Sequence, residues 1–493
     1  MSAAGPAKPA VRGLLLVLAA GLLVVLAATA SAGVSPRAAG PVALENHRPG
    51  TRGWLGPLAT GRAVEVYSSA SDAVPGDSVD VHVSATPSAH YRVLVYRLGW
   101  YAGVGARRVA CLPACKTGEL AVSEPVPPPD SSGYVSPDWP STDRFTVGAD
   151  WVSGYYQVRA LLLDGPEAGR SATTYLVVRQ PRSSSAMLVQ VPVNTWQAYN
   201  GWGGKSLYPF SSADGRQAIQ VSFDRPFDWS LPGAQGPLGW ELPLVRFLER
   251  TGYDVSYQSD VYTSLHPRSL SRHKLVVVAG HDEYWTHEMR NAFDAARDGG
   301  VNLAFMGAND AYWQIRYRDR GRSIVAYKGM NDPNPDTSLK TAMFRELIPP
   351  MLECALIGVQ HQGVGLKWPP GDYTVAPTAI GSPWLHGTGL APGGVVRGIV
   401  STESDSIPGD QSAASSCGDK LLVLFHREHG GDKDGNADST VYTTPGGARV
   451  FASGSHQFSW ALDDFAADPD EGHGLADRRV QRFMRNAFDD LTR

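Results

Sequence analysis

One stretch of the sequence, residues 275–313, constrains the fold most strongly, because it has the pattern of strand, helix and strand. An apolar run from Leu275 to Ala279 is typical of a buried parallel strand, and a second run from Val301 to Phe305 follows a segment with helical periodicity. Polar residues come directly after both runs, Gly280-His281-Asp282-Glu283 after the first and Gly307-Ala308-Asn309-Asp310 after the second. In open α/β sheets, ligands bind outside the carboxyl ends of the strands. The sequence therefore predicts a functional site at this sheet edge.

The N-terminus has the pattern of a secretory signal peptide. Lys8 and Arg12 precede an apolar segment from Leu14 to Ala28, and Ala30-Ser31-Ala32 fits a cleavage site. The apolar segment is shorter than the roughly 20 residues that span a bilayer. We expect cleavage near Ala32 and a secreted or extracytoplasmic protein, with an uncleaved N-terminal anchor as the alternative. After the signal peptide (1–32), residues 33–53 are expected to form a flexible leader.

Charge and cysteine content limit the partners and the compartment. The formal net charge of −4 at pH 7 argues against nucleic acid as a partner. Four cysteines in an exported chain favour disulfides. Cys111 and Cys115 are close enough for a local bridge, which leaves Cys354 and Cys417 to close a long loop. Free, buried thiols are the alternative, and no cysteine has zinc-ribbon spacing.

Two kinds of periodicity divide the rest of the chain. Residues 54–180 contain short alternating runs separated by Pro and Gly, which is typical of a β-sandwich, and Asp150–Tyr156 resembles the start of a late strand in an immunoglobulin-like fold. Residues 186–493 alternate strands and helices, which predicts a parallel sheet, with an irregular insertion at about 350–450. The predicted fold class is a multidomain α+β protein, an immunoglobulin-like sandwich followed by an α/β domain.

Several familiar catalytic motifs are absent from the sequence. It contains no Gly-x-Ser-x-Gly elbow, no phosphate loop, no dinucleotide fingerprint and no His-Glu-x-x-His motif. Residues 432–438 have calcium-like oxygen spacing but lack the required glycine and final acidic residue, so we expect a solvated loop. A zinc site made of His281, Glu283 and His287 is a possible alternative, although this spacing is not diagnostic.

Tyrosine, carboxylate and lysine are expected to meet at the predicted sheet edge. Tyr199 follows the first strand of the α/β part, Glu283 follows the strand at 275–279, and Lys328 lies in the loop beyond Asn309. Hard oxygen donors suit ferric iron better than zinc. A tyrosinate needs such a metal, because its free pKa of about 10 otherwise keeps it protonated.

Five motifs carry a family resemblance, namely YRLGWYAGVGARRV, TWQAYNGWGGKSLY, GHDEYW, GAND and FASGSHQFSWALDD. Together they resemble the large (beta) subunit of N,N-dimethylformamidase and its exported bacterial relatives, over roughly residues 60 to 490. The resemblance implies an amide hydrolase with mononuclear iron held by two tyrosines and one glutamate. It also implies an α/β core like that of class I glutamine amidotransferases, which is flavodoxin-like.

The resemblance suggests particular residues for the metal. By motif, Tyr199 and Glu283 would be two of the iron ligands. Tyr156 has about the right upstream spacing for the third, with the adjacent Tyr155 as an alternative and a packed sandwich tyrosine as the structural interpretation.

The resemblance also suggests residues for catalysis. His281 would lie near the metal, Asn309 and Lys328 would orient the substrate, and Glu403 resembles a later family glutamate. Glu403 or His281 would take the proton from water and return it to the leaving amine.

The expected function is that of an exported, iron-dependent hydrolase of a small amide C–N bond. We expect the chain to differ from the characterised family enzyme in being exported and in having neither a lectin-like domain ahead of the sandwich nor a small subunit. The alternative is therefore a non-catalytic exported glycan- or ligand-binding protein that keeps the cleft. We expect the protein to bind a small amide as its substrate. It could form a homo-oligomer or bind a separate small subunit. We expect no membrane contact beyond the alternative of an N-terminal anchor.

Overall fold

A computed structural model describes residues 40–228, 236–365, 370–400, 402–409, 417, 421–428, 436–465 and 475–493. The predicted signal peptide lies outside the described residues, as do the start of the predicted leader and most of the calcium-like loop at 432–438. No helix in the described ranges is long and apolar enough to cross a membrane.

The early strands form two sheets that pack face to face. The strands are β1 (Glu65–Ser68), β2 (Asp72–Ala73), β3 (Ser78–Ser84), β4 (Ala89–Leu98), β5 (Ala106–Leu112), β6 (Glu119–Ala121), β7 (Asp143–Thr146), β8 (Gly154–Leu162) and β9 (Ser171–Val178). One sheet has the order β1-β3-β7, and the other has the order β2-β9-β8-β4-β5 with β6 paired to β4. The β2–β9 pair is parallel. Alternate residues point to the same face of a strand, so Val66 and Val81 of one sheet share a buried core with Tyr156 and Val158 of the other.

The later strands form a large mixed sheet and two small ones. The strands are β10 (Met187–Val191), β11 (Gln220–Ser222), β12 (Val255–Ser259), β13 (Leu275–Ala279), β14 (Tyr284–Thr286), β15 (Asn302–Met306), β16 (Trp313–Arg318), β17 (Ser323–Val325), β18 (Gln360–Gly365), β19 (Gly371–Val375), β20 (Val395–Val400), β21 (Thr402–Ser406), β22 (Leu422–Arg427), β23 (Ala437–Thr443) and β24 (Arg449–Ala452). The large sheet has the order β12-β10-β13-β15-β24-β23-β22-β19-β20. Its pairs are parallel from β12 to β24 and antiparallel from β24 to β20. The small sheets are β11-β17-β16-β14 and β18-β21.

Short helices connect and cover these strands. They are α1 (Pro41–Glu45), α2 (Val193–Tyr199), α3 (Glu241–Thr251), α4 (Asp260–Leu265), α5 (His287–Asp298), α6 (Glu353–Ile357) and α7 (Arg478–Leu491). In α5, Met289, Phe293 and Ala296 are buried on one face, and the Thr286 hydroxyl accepts a hydrogen bond from the Met289 backbone N–H at 3.2 Å. The strand, helix and strand expected at 275–305 are therefore present almost as predicted.

The protein is mixed α/β, with many strands in mixed sheets and few helices. We predicted a parallel sheet, and the large sheet is parallel only from β12 to β24, since its second half is antiparallel. The short turn at 444–448 between β23 and β24 explains part of this difference, since parallel neighbours need a long crossover connection.

The segment from residue 40 onward is ordered, although the sequence suggested a flexible leader up to residue 53. Val42 and Glu45 of α1 are buried. The Asn46 side-chain amide donates a hydrogen bond to Glu249 of α3 at 2.6 Å. Composition predicted flexibility here, but tertiary contacts with distant residues hold the segment in place.

A buried ion pair joins the early sheets to α3. Arg97, at the end of β4, donates to both carboxylate oxygens of Glu249 at 2.8 and 3.0 Å, and neither side chain is exposed. The Tyr257 hydroxyl donates to the same carboxylate at 2.9 Å. The YRLGW motif therefore has a structural role at this junction.

Both predicted disulfides are present. Cys111 pairs with Cys115 in the early sheets, and Cys354 pairs with Cys417 across the insertion. Disulfides are consistent with an extracytoplasmic location.

Candidate active site

Four polar loops meet at one edge of the large sheet. They follow β10, β13, β15 and β24, which are parallel neighbours, so their carboxyl ends lie side by side. The segments after these strands carry Tyr199, at the end of α2, and Glu283, Asn309 and His456 respectively. The predicted position of the site is therefore also where the structure collects its polar residues.

Two glycines allow the loops after β13 and β15 to approach each other closely. A Cβ atom on Gly307 would lie 1.4 Å from the carbonyl oxygen of Gly280, so only glycine fits there. Beyond this point the Asp282 backbone N–H donates to Asp310 at 2.9 Å. Asn309 has a left-handed backbone with φ of 53°, which turns the chain toward the site.

Two tyrosines converge on the carboxylate of Glu283. The Tyr199 hydroxyl donates to Glu283 Oε2 at 3.0 Å, and the Tyr208 hydroxyl lies 2.7 and 2.8 Å from the two Glu283 oxygens. The Thr195 hydroxyl accepts the Glu283 backbone N–H at 3.0 Å, which orients the loop. Burial raises the pKa of Glu283. Burial and the nearby Glu283 also raise the pKa of each tyrosine well above its usual value.

Beside these oxygens lies a buried group of His281, Glu403 and His456 that can hold a metal, with ligand atoms within 4.8 Å of one another. His281 Nε2 is 3.1 Å and His456 Nε2 is 3.6 Å from Glu403 Oε2. Asn309 Nδ2 donates to the same oxygen at 2.7 Å. Glu403 is brought here from β21, because Ser404 pairs with Ser455 next to His456.

The electrostatics of this group follow from its carboxylates. Burial disfavours the charged imidazole of His281, but Glu403 and Glu283 outweigh this effect and raise its pKa to about 9. Burial also opposes the charge of Glu403, yet His281 holds the Glu403 pKa well below its usual range. Burial and the charge of His281 lower the pKa of His456 to about 3. The group therefore carries one charged histidine and one neutral histidine at neutral pH.

Lys328 lies on the face of one of the tyrosines. Its ammonium is 3.4 Å from the centroid of the Tyr208 ring and donates to the Tyr284 hydroxyl at 2.9 Å. Burial lowers the Lys328 pKa to about 8, although Glu283 and Glu403 partly offset this effect. The cation favours a negative charge on the Tyr208 oxygen.

The structure does not bring Tyr156 to this site. Its hydroxyl donates to the Val152 carbonyl at 2.7 Å, and its ring stacks on Trp151 in the core of the early sheets. Tyr155 packs against Trp196 and Tyr257 instead. The structural interpretation of Tyr156 as a packed sandwich tyrosine fits these contacts.

The alternative zinc site at His281, Glu283 and His287 is not assembled either. His287 begins α5, and its Nδ1 lies 3.3 Å from Gln314. The helix start directs this side chain toward β16, away from His281.

Sequence reasoning missed two residues of the site, Tyr208 and His456. Tyr208 is the last residue of the TWQAYNGWGGKSLY motif, and His456 lies in FASGSHQFSWALDD. Both motifs had been recognised, so the signal was available. Only their spatial position relative to Glu283 and Glu403 distinguishes these residues from the other aromatic and polar members of the motifs.

The protein is a mixed α/β protein with a candidate metal centre. The centre consists of buried tyrosine, histidine and carboxylate side chains at the ends of parallel strands. The chain belongs to the family described as N,N-dimethylformamidase beta subunit-like, C-terminal, whose family model matches residues 92–473. All the residues of the site lie within this range, and the resemblance seen in the motifs is confirmed. No curated protein matches the chain.

Proposed function

We propose that the protein is an exported metal-dependent hydrolase of an amide C–N bond, similar to N,N-dimethylformamidase. The observation that carries this proposal is the convergence of Tyr199, Tyr208 and Glu283 next to Glu403. Three oxygen donors thus adjoin a carboxylate that is paired with a histidine. Membership of the family also supports a hydrolase.

Tyr199, Tyr208 and Glu283 are the residues that would hold the metal. Both phenol oxygens lie within 3.0 Å of a Glu283 oxygen, and both phenols stay protonated unless a cation replaces their protons. An all-oxygen donor set suits ferric iron better than zinc. When bound, ferric iron supplies Lewis-acid polarisation of the amide carbonyl. Tyr208 takes the place of Tyr156 in the proposed ligand set.

The group of His281, Glu403 and His456 is the weaker metal site of the two. The His456 nitrogen that faces Glu403 is Nε2, and it also lies 3.0 Å from the Ala308 carbonyl oxygen. A carbonyl only accepts hydrogen bonds, so this nitrogen carries a proton and has no free lone pair for a metal. We therefore assign the group to acid–base chemistry.

Glu403 and His281 are the proposed acid–base pair. Glu403 is a carboxylate at neutral pH, with Asn309 donating to its Oε2 and His281 Nε2 3.1 Å from the same oxygen, and it is the proposed proton acceptor for the attacking water. The nearby charge of His281 lowers the pKa of Glu403 and so weakens it as a base. Glu403 raises the pKa of His281, so His281 is the proposed proton donor to the leaving nitrogen. Lys328 adds positive charge next to Tyr208, where negative charge develops on the carbonyl oxygen.

Metal analysis combined with a visible spectrum tests the ligand set. We expect stoichiometric iron and a tyrosinate-to-iron charge-transfer band in the wild type, a weaker and shifted band in Y199F and in Y208F, and loss of the band in the double variant Y199F/Y208F. E283Q should lose the metal itself, because it removes the anionic oxygens that both tyrosines share. The proposal fails if the wild-type protein binds no metal stoichiometrically.

Three variants serve as controls for this experiment. Y156F removes a buried tyrosine hydroxyl outside the site and should keep both the iron and the band. H456Q should also keep the iron, since His456 is not a proposed ligand. E403Q should keep the iron and lose amide hydrolysis by about 100-fold or more.

The alternative function is an exported glycan- or ligand-binding protein without catalysis. Full iron content together with no hydrolysis across a panel of amides would favour this alternative. Retained binding of an amide by E403Q, with loss of turnover, would favour the enzyme.

We further propose that residues 54–180 form an immunoglobulin-like sandwich domain and residues 186–493 form an α/β domain of amidotransferase type. A core made of residues between 64 and 178 supports the first, and the parallel run from β12 to β24 supports the second. Export, with cleavage near Ala32, and a homo-oligomer or separate small subunit remain predictions.

A further inference from the structure

A cleft of about 790 Å³ lies between the early sheets and the loop that carries Tyr208. One wall comes from the segment around Ala59 and from β9, and the opposite wall comes from residues 201–204 and 210–213. Its volume is in the range of cavities that bind drug-sized molecules, roughly 300 to 1,000 Å³. This is far more space than a small formamide requires.

Phe210 connects the cleft to the proposed metal centre. It lines the cleft, it is 59 % exposed, and its ring centroid lies 5.0 Å from that of Tyr208 and 6.2 Å from that of Tyr199. The exposed Phe210 ring thus lies beside both proposed ligand tyrosines, in a tilted arrangement with each. A molecule in the cleft can therefore lie against Phe210 with one end close to the tyrosines.

The loop that forms one wall is held in a fixed shape. Arg225 is fully buried beneath it and donates to the backbone carbonyls of Trp202, Lys205 and Asn200 at 3.2, 2.8 and 2.8 Å. The Trp202 indole N–H donates across to Glu65 of β1 at 2.7 Å. The cleft is thus formed before any ligand binds, which limits the entropy lost on binding.

Four of the polar side chains that line the cleft, those of Arg62, Glu65, Ser211 and Ser212, bind partners within the protein, and Asp228 adds one more carboxylate to the lining. Arg62 donates to Glu65 at 2.9 Å, so these two charges neutralise each other. The Ser211 hydroxyl is 2.6 Å from that of Ser206, and the Ser212 hydroxyl donates to the Tyr208 carbonyl at 2.8 Å. Groups satisfied in this way favour a neutral, apolar ligand, because a charged one would gain no counter-charge from them.

We propose that the cleft binds a bulky, neutral, aromatic or aliphatic substituent of the amide substrate, with the scissile bond at Tyr199, Tyr208 and Glu283. This inference rests on the proposed function. The reaction adds water across the C–N bond: the hydroxyl joins the acyl carbon, the C–N bond breaks, and the nitrogen leaves as an amine with the proton. The preferred substrates are thus larger amides than N,N-dimethylformamide.

The test compares two substrates on the iron-loaded full chain, N,N-dimethylformamide and N-benzyl-N-methylformamide, by measuring the amine released. We expect kcat/KM to be at least about tenfold higher for the benzyl compound, since even single methylene groups give tenfold discrimination in apolar pockets. Filling the cleft with A59W should lower kcat/KM for the benzyl compound by about tenfold, through KM, and leave N,N-dimethylformamide unchanged.

Two further variants protect this test against misfolding and nonspecific effects. A213W fills the cleft from the opposite wall and should reproduce the effect of A59W. A168W adds the same side chain at an exposed turn of the early sheets, outside the cleft, and should change neither substrate. Equal kcat/KM for both amides in the wild type, or no selective effect in either filling variant, overturns the inference.

Binding measured by calorimetry separates this inference from the proposed function. N-Benzyl-N-methylformamide should bind the wild type, and A59W should raise its Kd about tenfold, whether or not turnover occurs. Binding without hydrolysis of any amide would leave the cleft assignment standing and refute the enzyme. Hydrolysis of N,N-dimethylformamide with no binding of the benzyl compound would support the enzyme and refute the cleft assignment.

Discussion

The buried pair of Arg97 and Glu249 makes a strong prediction about stability. Both side chains are completely buried, and two hydrogen bonds link the guanidinium to the carboxylate. Burial disfavours the guanidinium cation, but Glu249 outweighs this and keeps the Arg97 pKa above its usual value. E249Q keeps the shape and the acceptor for Tyr257, yet it leaves a cation buried without its counter-charge. Removal of one partner of a buried pair costs about 3 to 5 kcal/mol.

Urea unfolding, followed by tryptophan fluorescence and circular dichroism, measures this loss. The double variant R97M/E249Q should lose less stability than E249Q alone, since no unpaired charge remains. The matched control is R144Q, which breaks the exposed pair with Asp80 and should leave the unfolding free energy unchanged within error. A loss below about 1 kcal/mol in E249Q would refute the reasoning, because that value is typical of a solvated pair.

Three further predictions concern the site and its surroundings. Burial raises the Glu241 pKa from 4.5 to about 8, so Glu241 stays protonated in the folded protein over a pH range in which it is ionised in the unfolded chain. As the pH rises from 5 to 8, the unfolding free energy of the wild type, measured by urea titration, should fall by about 4 kcal/mol relative to that of E241Q. Parallel pH profiles of the two proteins would contradict this. G307A should lower stability by at least about 3 kcal/mol or prevent soluble expression, because the added methyl overlaps the Gly280 carbonyl; a normal melting temperature would show that the two loops can separate. N309G keeps the left-handed backbone but loses the bond to Glu403, so amide hydrolysis should fall about 100-fold while unfolding stability changes by less than about 1 kcal/mol; unchanged activity would exclude Asn309 from catalysis.

Local patterns in the sequence predicted the part of the fold that carries the site. The run from Leu275 to Ala279 is a fully buried strand, and α5 and β15 follow within a residue or two of their expected positions. These elements depend on periodicity and on turn residues, both of which are local properties. The direction of the sheet then determined that His281, Glu283 and Asn309 lie at one edge, so this part of the site could also be predicted.

Long-range packing decided the rest. Tyr208 lies in a recognised motif and Tyr156 was suggested by its spacing, but the loop held by Arg225 directs Tyr208 to Glu283, while Tyr156 packs on Trp151. No local pattern distinguishes these two outcomes, because they depend on which surfaces the early sheets and the large sheet bury against each other.

Composition alone also suggested a flexible leader where α1 and Asn46 pack against α3, roughly 200 residues further along the chain. The sequence by itself determined the strands, the helix and the residue types at the sheet edge. The tertiary structure alone decided that Tyr208 and His456 join them and that Tyr156 does not, because contacts between residues far apart in the chain follow from the packing of whole sheets.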